Sequence, residues 1–152
     1  MKEKKEQRNK RQIIGRVDKA DFPIFNLEEV LVKIDSGAYT SAIHCSKIKE
    51  ENGVLYVIFL DKSNSGYTGE VVVFNEFSVK KVRSSSGEAQ WRYKVKGNIL
   101  LFGKKYNTEF TLTKRSKMRY PVLLGRKLLN KKFLIDTSLS NESWKLKEKN
   151  NS

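Results

Sequence analysis

Apart from the stretch Arg126 to Asn130, the chain shows no apolar stripe at helical spacing. Its apolar residues come instead in short runs rich in β-branched and aromatic side chains, closed off by Gly, Asn, Asp or Ser. Leu31 to Ile34, Val54 to Leu60 and Val71 to Phe74 are runs of this kind, and they read as strands separated by turns. Trp91, Tyr93 and Val95 alternate with Arg92, Lys94 and Lys96, which predicts a strand with one buried and one wet face. The same residues also suit a platform on which single-stranded nucleic acid stacks. Ile99 to Phe102 and Phe110 to Thr113 flank the turn-rich connector Gly103 to Asn107 and predict a hairpin. A chain of 152 residues patterned this way has room for one domain, mainly β, with a small barrel or sandwich as its natural closure. Only Arg126 to Asn130, after Gly125, has the composition of a short helix.

Charge divides the chain into three parts. Residues 1–12 hold Lys2, Lys4, Lys5, Arg8, Lys10 and Arg11 against Glu3 and Glu6, with almost nothing apolar, and read as a disordered basic arm. Residues 137–152 read as a loose polar tail whose late apolar anchors are Trp144 and Leu146. These ends account for only part of the formal net charge of +14, so the middle, residues 13–136, is itself basic and attractive to polyanions. A solvated surface explains that charge equally well. No run approaches the roughly 20 apolar residues of a membrane span, and no apolar segment follows the charged N-terminus, so neither a membrane nor a secretory role is expected. A single cysteine, Cys45, forms no internal disulfide and suits a reducing cytoplasm. One His and one Cys leave no credible zinc set, and no metal or other cofactor is expected. His44 and Cys45 are adjacent, but neighbouring strand residues face opposite ways, so a packed cysteine and a partly exposed histidine are expected rather than a nucleophile and base.

Two segments carry the chemistry. In Lys33-Ile34-Asp35-Ser36-Gly37-Ala38 an acid ends an apolar strand and is followed by a hydroxyl, a glycine and a small residue. The glycine allows a tight turn that aims N–H groups at the carboxylate. Alone, the tripeptide is equally an ordinary turn. Downstream, Tyr120 to Leu129 forms an apolar strand, then Gly125, then a short helix led by Arg126.

With both segments in this order, the chain resembles the retropepsin-like aspartic peptidases. Ile14-Gly15-Arg16, Asp35 to Ala42, Lys81 to Gly87 and Met118 to Arg126 are similar, more closely, to a bacterial branch labelled ATP-dependent zinc proteases. The likeness runs from about Ile13 to Asp136. Neither a His-Glu-x-x-His helix nor a Gly-Lys-Ser/Thr loop is present, so what the resemblance implies is aspartic chemistry without metal or nucleotide. It implies a small closed β-barrel with a flap hairpin and one short C-terminal helix. It implies Asp35 as the catalytic residue, with Ser36, Gly37 and Ala38 supporting its loop, and Ser84, Ser85, Ser86 and Gly87 as the flap tip. Gly125 and Arg126 become a structural brace. Viral relatives place an acid after the Asp-Thr-Gly-Ala motif to pair with the arginine; Tyr39 stands there in this chain.

Aspartic proteolysis uses two carboxylates that share a proton. No second Asp-Ser/Thr-Gly exists, and Asp136-Thr137-Ser138 lacks the glycine, which leaves a homodimer with one Asp35 from each subunit. The expected partner is a second copy, and the expected substrate a peptide or protein, with acidic glutamyl tails suggested by the branch's link to glutamate ligases. The competing expectation is a basic β-barrel that binds RNA or the ribosome, although no RNA-binding motif supports it.

Overall fold

The computed structural model describes residues 10–83 and 86–151. Eleven strands run in chain order as β1 (Gln12–Ile14), β2 (Val17–Phe22), β3 (Leu27–Ile34), β4 (Ser41–Glu51), β5 (Val54–Phe59), β6 (Val72–Phe74), β7 (Ser78–Arg83), β8 (Ala89–Leu101), β9 (Lys104–Thr113), β10 (Val122–Leu124) and β11 (Phe133–Ile135). Two helices are described, α1 (Arg126–Leu129) and α2 (Glu142–Asn151). Hydrogen bonding runs β10-β3-β2-β8-β9-β4, and β4 pairs again with β10, so six strands close into a barrel as the resemblance implied. Within the barrel each of these strands has a partner on both sides.

The alternation in β3 shows how sequence becomes barrel. Val30, Val32 and Ile34 face inward while Lys33 stays exposed. Phe22, Phe25, Phe59, Phe74 and Phe110 fill one end of the core, with Phe25 stacked on Phe59 at 4.2 Å between ring centroids. The β8–β9 hairpin turns on Phe102 (φ 53°) and Gly103 (φ 71°), a two-residue turn tighter than the five-residue connector read from the sequence.

Two expectations are corrected. Val95 is buried, but Trp91 is 69% exposed, because the outer half of β8 leaves the barrel and pairs only with β7. The second correction concerns the tail, which carries the ten-residue helix α2. Its own sequence is polar nearly all round, and what holds it is the barrel. Asp18, fully buried on β2, accepts the backbone N–H groups of Ser143 (2.9 Å) and Trp144 (3.0 Å) at the helix start, while the Ser143 hydroxyl accepts the Phe102 N–H. Burial pushes the Asp18 carboxyl above its ordinary range despite these bonds. At the other terminus, Gln12 already lies in β1, which runs parallel to β11; residues 1–9 of the expected arm lie outside the described residues.

Candidate active site

β3 and β10 run side by side and parallel, and both end at the same place. The Asp35 N–H donates to the Leu124 carbonyl at 2.9 Å, which ties the first residue past β3 to the last of β10. The chain then turns: the Ala38 N–H reaches the Asp35 carbonyl, and the Gly37 N–H donates to Asp35 Oδ1 at 3.0 Å. Asp35 is half-buried, and among the described residues no other hydrogen bond reaches its carboxylate. Ser36 and Gly37 are exposed.

Gly125 and Arg126 hold this turn from behind. The N–H groups of Arg126 and Lys127 donate to the carbonyls of Ala38 and Tyr39, each at 2.8 Å. A Cβ on Gly125 would lie 2.5 Å from the Tyr39 carbonyl oxygen, so only glycine lets α1 begin this close to the loop. The Gly125 N–H is taken by the buried Ser41 hydroxyl at 3.0 Å. Arg126 Nη1 donates to the Ser36 carbonyl at 2.8 Å, and its guanidinium lies over the Tyr39 ring at 5.9 Å. The arginine therefore grips a backbone carbonyl and an aromatic face where an acid was sought.

Asp35 opens onto a cleft of about 510 Å³. Gly37, Ala38, Tyr39, Ala42, Pro121 and Leu123 line it on the strand-end side. The β7–β8 hairpin reaches it with Lys80, Lys81, Val82, Arg83 and Arg92, and the segment after β9 adds Arg115. Five cations thus share the cleft with one carboxylate. Lys80 hydrogen-bonds the Thr40 hydroxyl and lies 5.9 Å over the Tyr39 ring, so the hairpin root is tied to the Asp35 loop. Of the expected flap tip, Ser86 and Gly87 (φ 85°) form the described part of the bend, and Ser84 and Ser85 lie outside the described residues.

The cations of the cleft were not singled out by sequence reasoning as a group. Hairpin register would have found some of them: Lys80 pairs with Arg92 across β7 and β8, which puts both on one face. Arg115 had no such signal. His44, expected to be partly exposed, is buried at 3%; its Nε2 contacts Asp61 Oδ2 at 2.7 Å and its Nδ1 accepts the Arg115 N–H at 2.9 Å. Cys45 is fully buried and hydrogen-bonds the Ile43 carbonyl, and burial raises its thiol far above the ordinary range, so no cysteine–histidine pair forms. Among the described residues no three His, Cys, Asp or Glu side chains gather into a metal-holding set. No described helix is long and apolar enough to cross a membrane.

A family model described as RimB-like, retropepsin-like aspartic endopeptidase RimB, matches residues 13–144. The chain belongs to the RimB-like family. The match takes in the barrel, the Asp35 turn, α1 and the start of α2. A probable alpha-L-glutamate ligase of Shewanella pealeana is 34% identical over 142 residues, which is 90% of this chain and 30% of that protein. A protein of the same description from Desulfotalea psychrophila is 27% identical over 137 residues, 85% of this chain and 29% of that one. The RimB-like chain therefore spans about 30% of the length of these curated relatives. A crystal structure of a Legionella pneumophila protein of unknown function superposes with a TM-score of 0.57 at 25% identity, covering 87% of this chain and 98% of that one.

Proposed function

We propose that this chain is an aspartic peptidase that works as a homodimer, with one Asp35 from each subunit forming the catalytic pair. One carboxylate takes a proton from water as the oxygen attacks the scissile carbonyl, and the other, protonated, gives its proton to the carbonyl oxygen. Collapse of the tetrahedral intermediate breaks the C–N bond, and the amine leaves with a proton. The observation that carries this reading is the Asp35 carboxylate itself: set at the paired ends of β3 and β10, facing a cleft, and held, among the described residues, by the Gly37 N–H alone. Membership of a retropepsin-like endopeptidase family supports it. Ser36 would hold the two loops in register across the axis, and the small Gly37 and Ala38 allow their approach. The β7–β8 hairpin would act as the flap. Ile13, Leu134 and Ile135, all exposed on the β1–β11 pair, offer apolar surface for assembly.

The substrate class follows from charge. Five cations beside one carboxylate favour a peptide rich in acidic side chains. The relatives' description as glutamate ligases is consistent with glutamyl tails as the peptide trimmed, in the cytoplasm. Exposed Trp91, with Lys81 5.8 Å over its ring, is the one feature that favours RNA instead. A panel of acidic peptides incubated with wild type and Asp35→Asn tests the main reading. The variant should keep its fold and lose hydrolysis by about 10³-fold or more, because Asn has the same shape but accepts no proton as a base. Wild-type turnover in the variant would sink it.

A further inference from the structure

We propose that Arg92 and Arg115 clamp one acidic side chain of a peptide lying in the Asp35 cleft, and that this pair sets the preference for acidic peptides. The proposal rests on reading the cleft as a peptide site. It starts from an imbalance. Several cations elsewhere meet a carboxylate: Glu109 takes both Lys94, at 3.3 Å, and Lys127, and Asp21 takes Lys147 at 3.0 Å. Among the described residues no carboxylate bridges Arg92 or Arg115. Arg92 is half-buried, and among the described residues its side chain makes only a long 3.5 Å hydrogen bond to Gln90 Oε1. Arg92 and Arg115 line the same cleft, and burial first, then the Arg115 charge, hold the Arg92 guanidinium below its ordinary range.

The two arginines come from different bodies. Arg92 sits on β8 where that strand belongs to the hairpin, opposite Lys80. Arg115 follows β9, and its backbone is fixed by the barrel: its N–H donates to Nδ1 of buried His44. With Nδ1 accepting, the His44 proton is on Nε2 and is donated to Asp61, which in turn is held by the Ser63 N–H at 2.8 Å and the Ser63 hydroxyl. An anion seated between Arg92 and Arg115 would relieve their repulsion and bridge the hairpin to the barrel. A carboxylate fits, because each guanidinium presents a planar fork of N–H donors to its two oxygens. Lys80, whose ammonium also donates to Thr40, adds charge beside the pair but not a planar fork.

The test is equilibrium binding of fluorescently labelled hexaglutamate and hexaglutamine to the full chain carrying Asp35→Asn, so that no turnover intervenes. Arg92→Gln and Arg115→Gln, each added to that background, should weaken hexaglutamate binding about tenfold, the value of one charge-assisted hydrogen bond. Hexaglutamine binding should not change. The double variant should lose less than the product of the single losses, since both arginines hold one group. Lys104→Gln at the exposed β8–β9 turn removes the same charge far from the cleft and should leave affinity intact. Reversing both charges, Arg92→Glu with Arg115→Glu, should shift preference to hexalysine, which a merely structural role would not produce.

Equal losses from Lys104→Gln and the arginine variants would overturn the clamp, as would a failure of hexaglutamate to bind. So would a poly-uridine probe whose binding depends on the two arginines more than hexaglutamate's does. If wild type hydrolyses nothing yet binding still depends on the pair, the clamp stands and the peptidase reading falls.

Discussion

The Asp35 and Asp136 turns begin alike and end with different carboxylates. In both, an acid just past a strand accepts the N–H of the residue two positions on, Gly37 at 3.0 Å and Ser138 at 2.9 Å. In the second, the Ser138 hydroxyl adds a bond to the same oxygen at 2.6 Å, and this hydroxyl is the first cause of an Asp136 carboxyl held below its ordinary range. Asp61 repeats the Asp136 pattern with Ser63 and adds His44. A serine at the third position therefore turns the acid's bonding capacity inward to lock the turn, whereas a glycine leaves it available to a ligand. Asp35 has the glycine and lines the cleft; Asp136 has the serine and stands on the open surface.

The sharpest way to break this distinction is to exchange the third residues. Gly37 has no positive φ, and a Cβ there would meet only Asp35 Oδ1 at 3.3 Å, so Gly37→Ser should fold. Its hydroxyl would then bond the Asp35 carboxylate, and, with Asp35 as the proposed catalyst, kcat should fall about 10²-fold, the low end of what positioned proton transfer contributes. Ser138→Gly should leave kcat unchanged. Steady-state kinetics on an acidic peptide decides between this and a glycine needed only for space, for which Gly37→Ala and Gly37→Ser would behave alike.

This difference also marks how much the sequence could show. Asp-Ser-Gly and Asp-Thr-Ser are both visible in the chain, and the alternation around Val30, Val32 and Ile34 announces the strand that delivers Asp35 to the barrel end. The strand runs and the short helix after Gly125 were readable because period and turn chemistry are local. Helix α2 was not, since its polar face carries no period and its capping acid, Asp18, lies more than a hundred residues earlier. Trp91 misled for a related reason: alternation names two faces of a strand without saying where the strand leaves the core. The Arg126 partners were hidden because a backbone carbonyl has no letter in the sequence.

A smaller effect concerns stability in acid. The Asp61 and Asp136 carboxyls sit below the ordinary value of 3.8 in the folded chain, each lowered first by its serine hydroxyl. A group depressed by folding adds stability that is whole above its unfolded value and is lost as pH falls through the folded one. Together with Glu109, also held low, these two carboxyls should make the melting temperature decline as pH drops below about 4, outweighing the opposite pull of the raised Asp18 carboxyl. Ser63→Ala with Ser138→Ala should flatten that decline by lowering stability at pH 7, where the depressed carboxyls contribute in full, while changing little at the acid end. An unchanged acid slope would show that the two hydroxyls do not set those carboxyls apart.

The claim that Asp35 works only as one half of a shared pair is tested most directly by mixing subunits. Wild type and Asp35→Asn chains, unfolded together and refolded at fixed total concentration, distribute at random between dimers. If each active site needs an Asp35 from both subunits, activity per total chain should follow the square of the wild-type fraction, so an equal mixture keeps about a quarter of the full rate. Activity that instead falls in simple proportion, keeping half at an equal mixture, would mean that each chain carries a complete site and would contradict the shared pair.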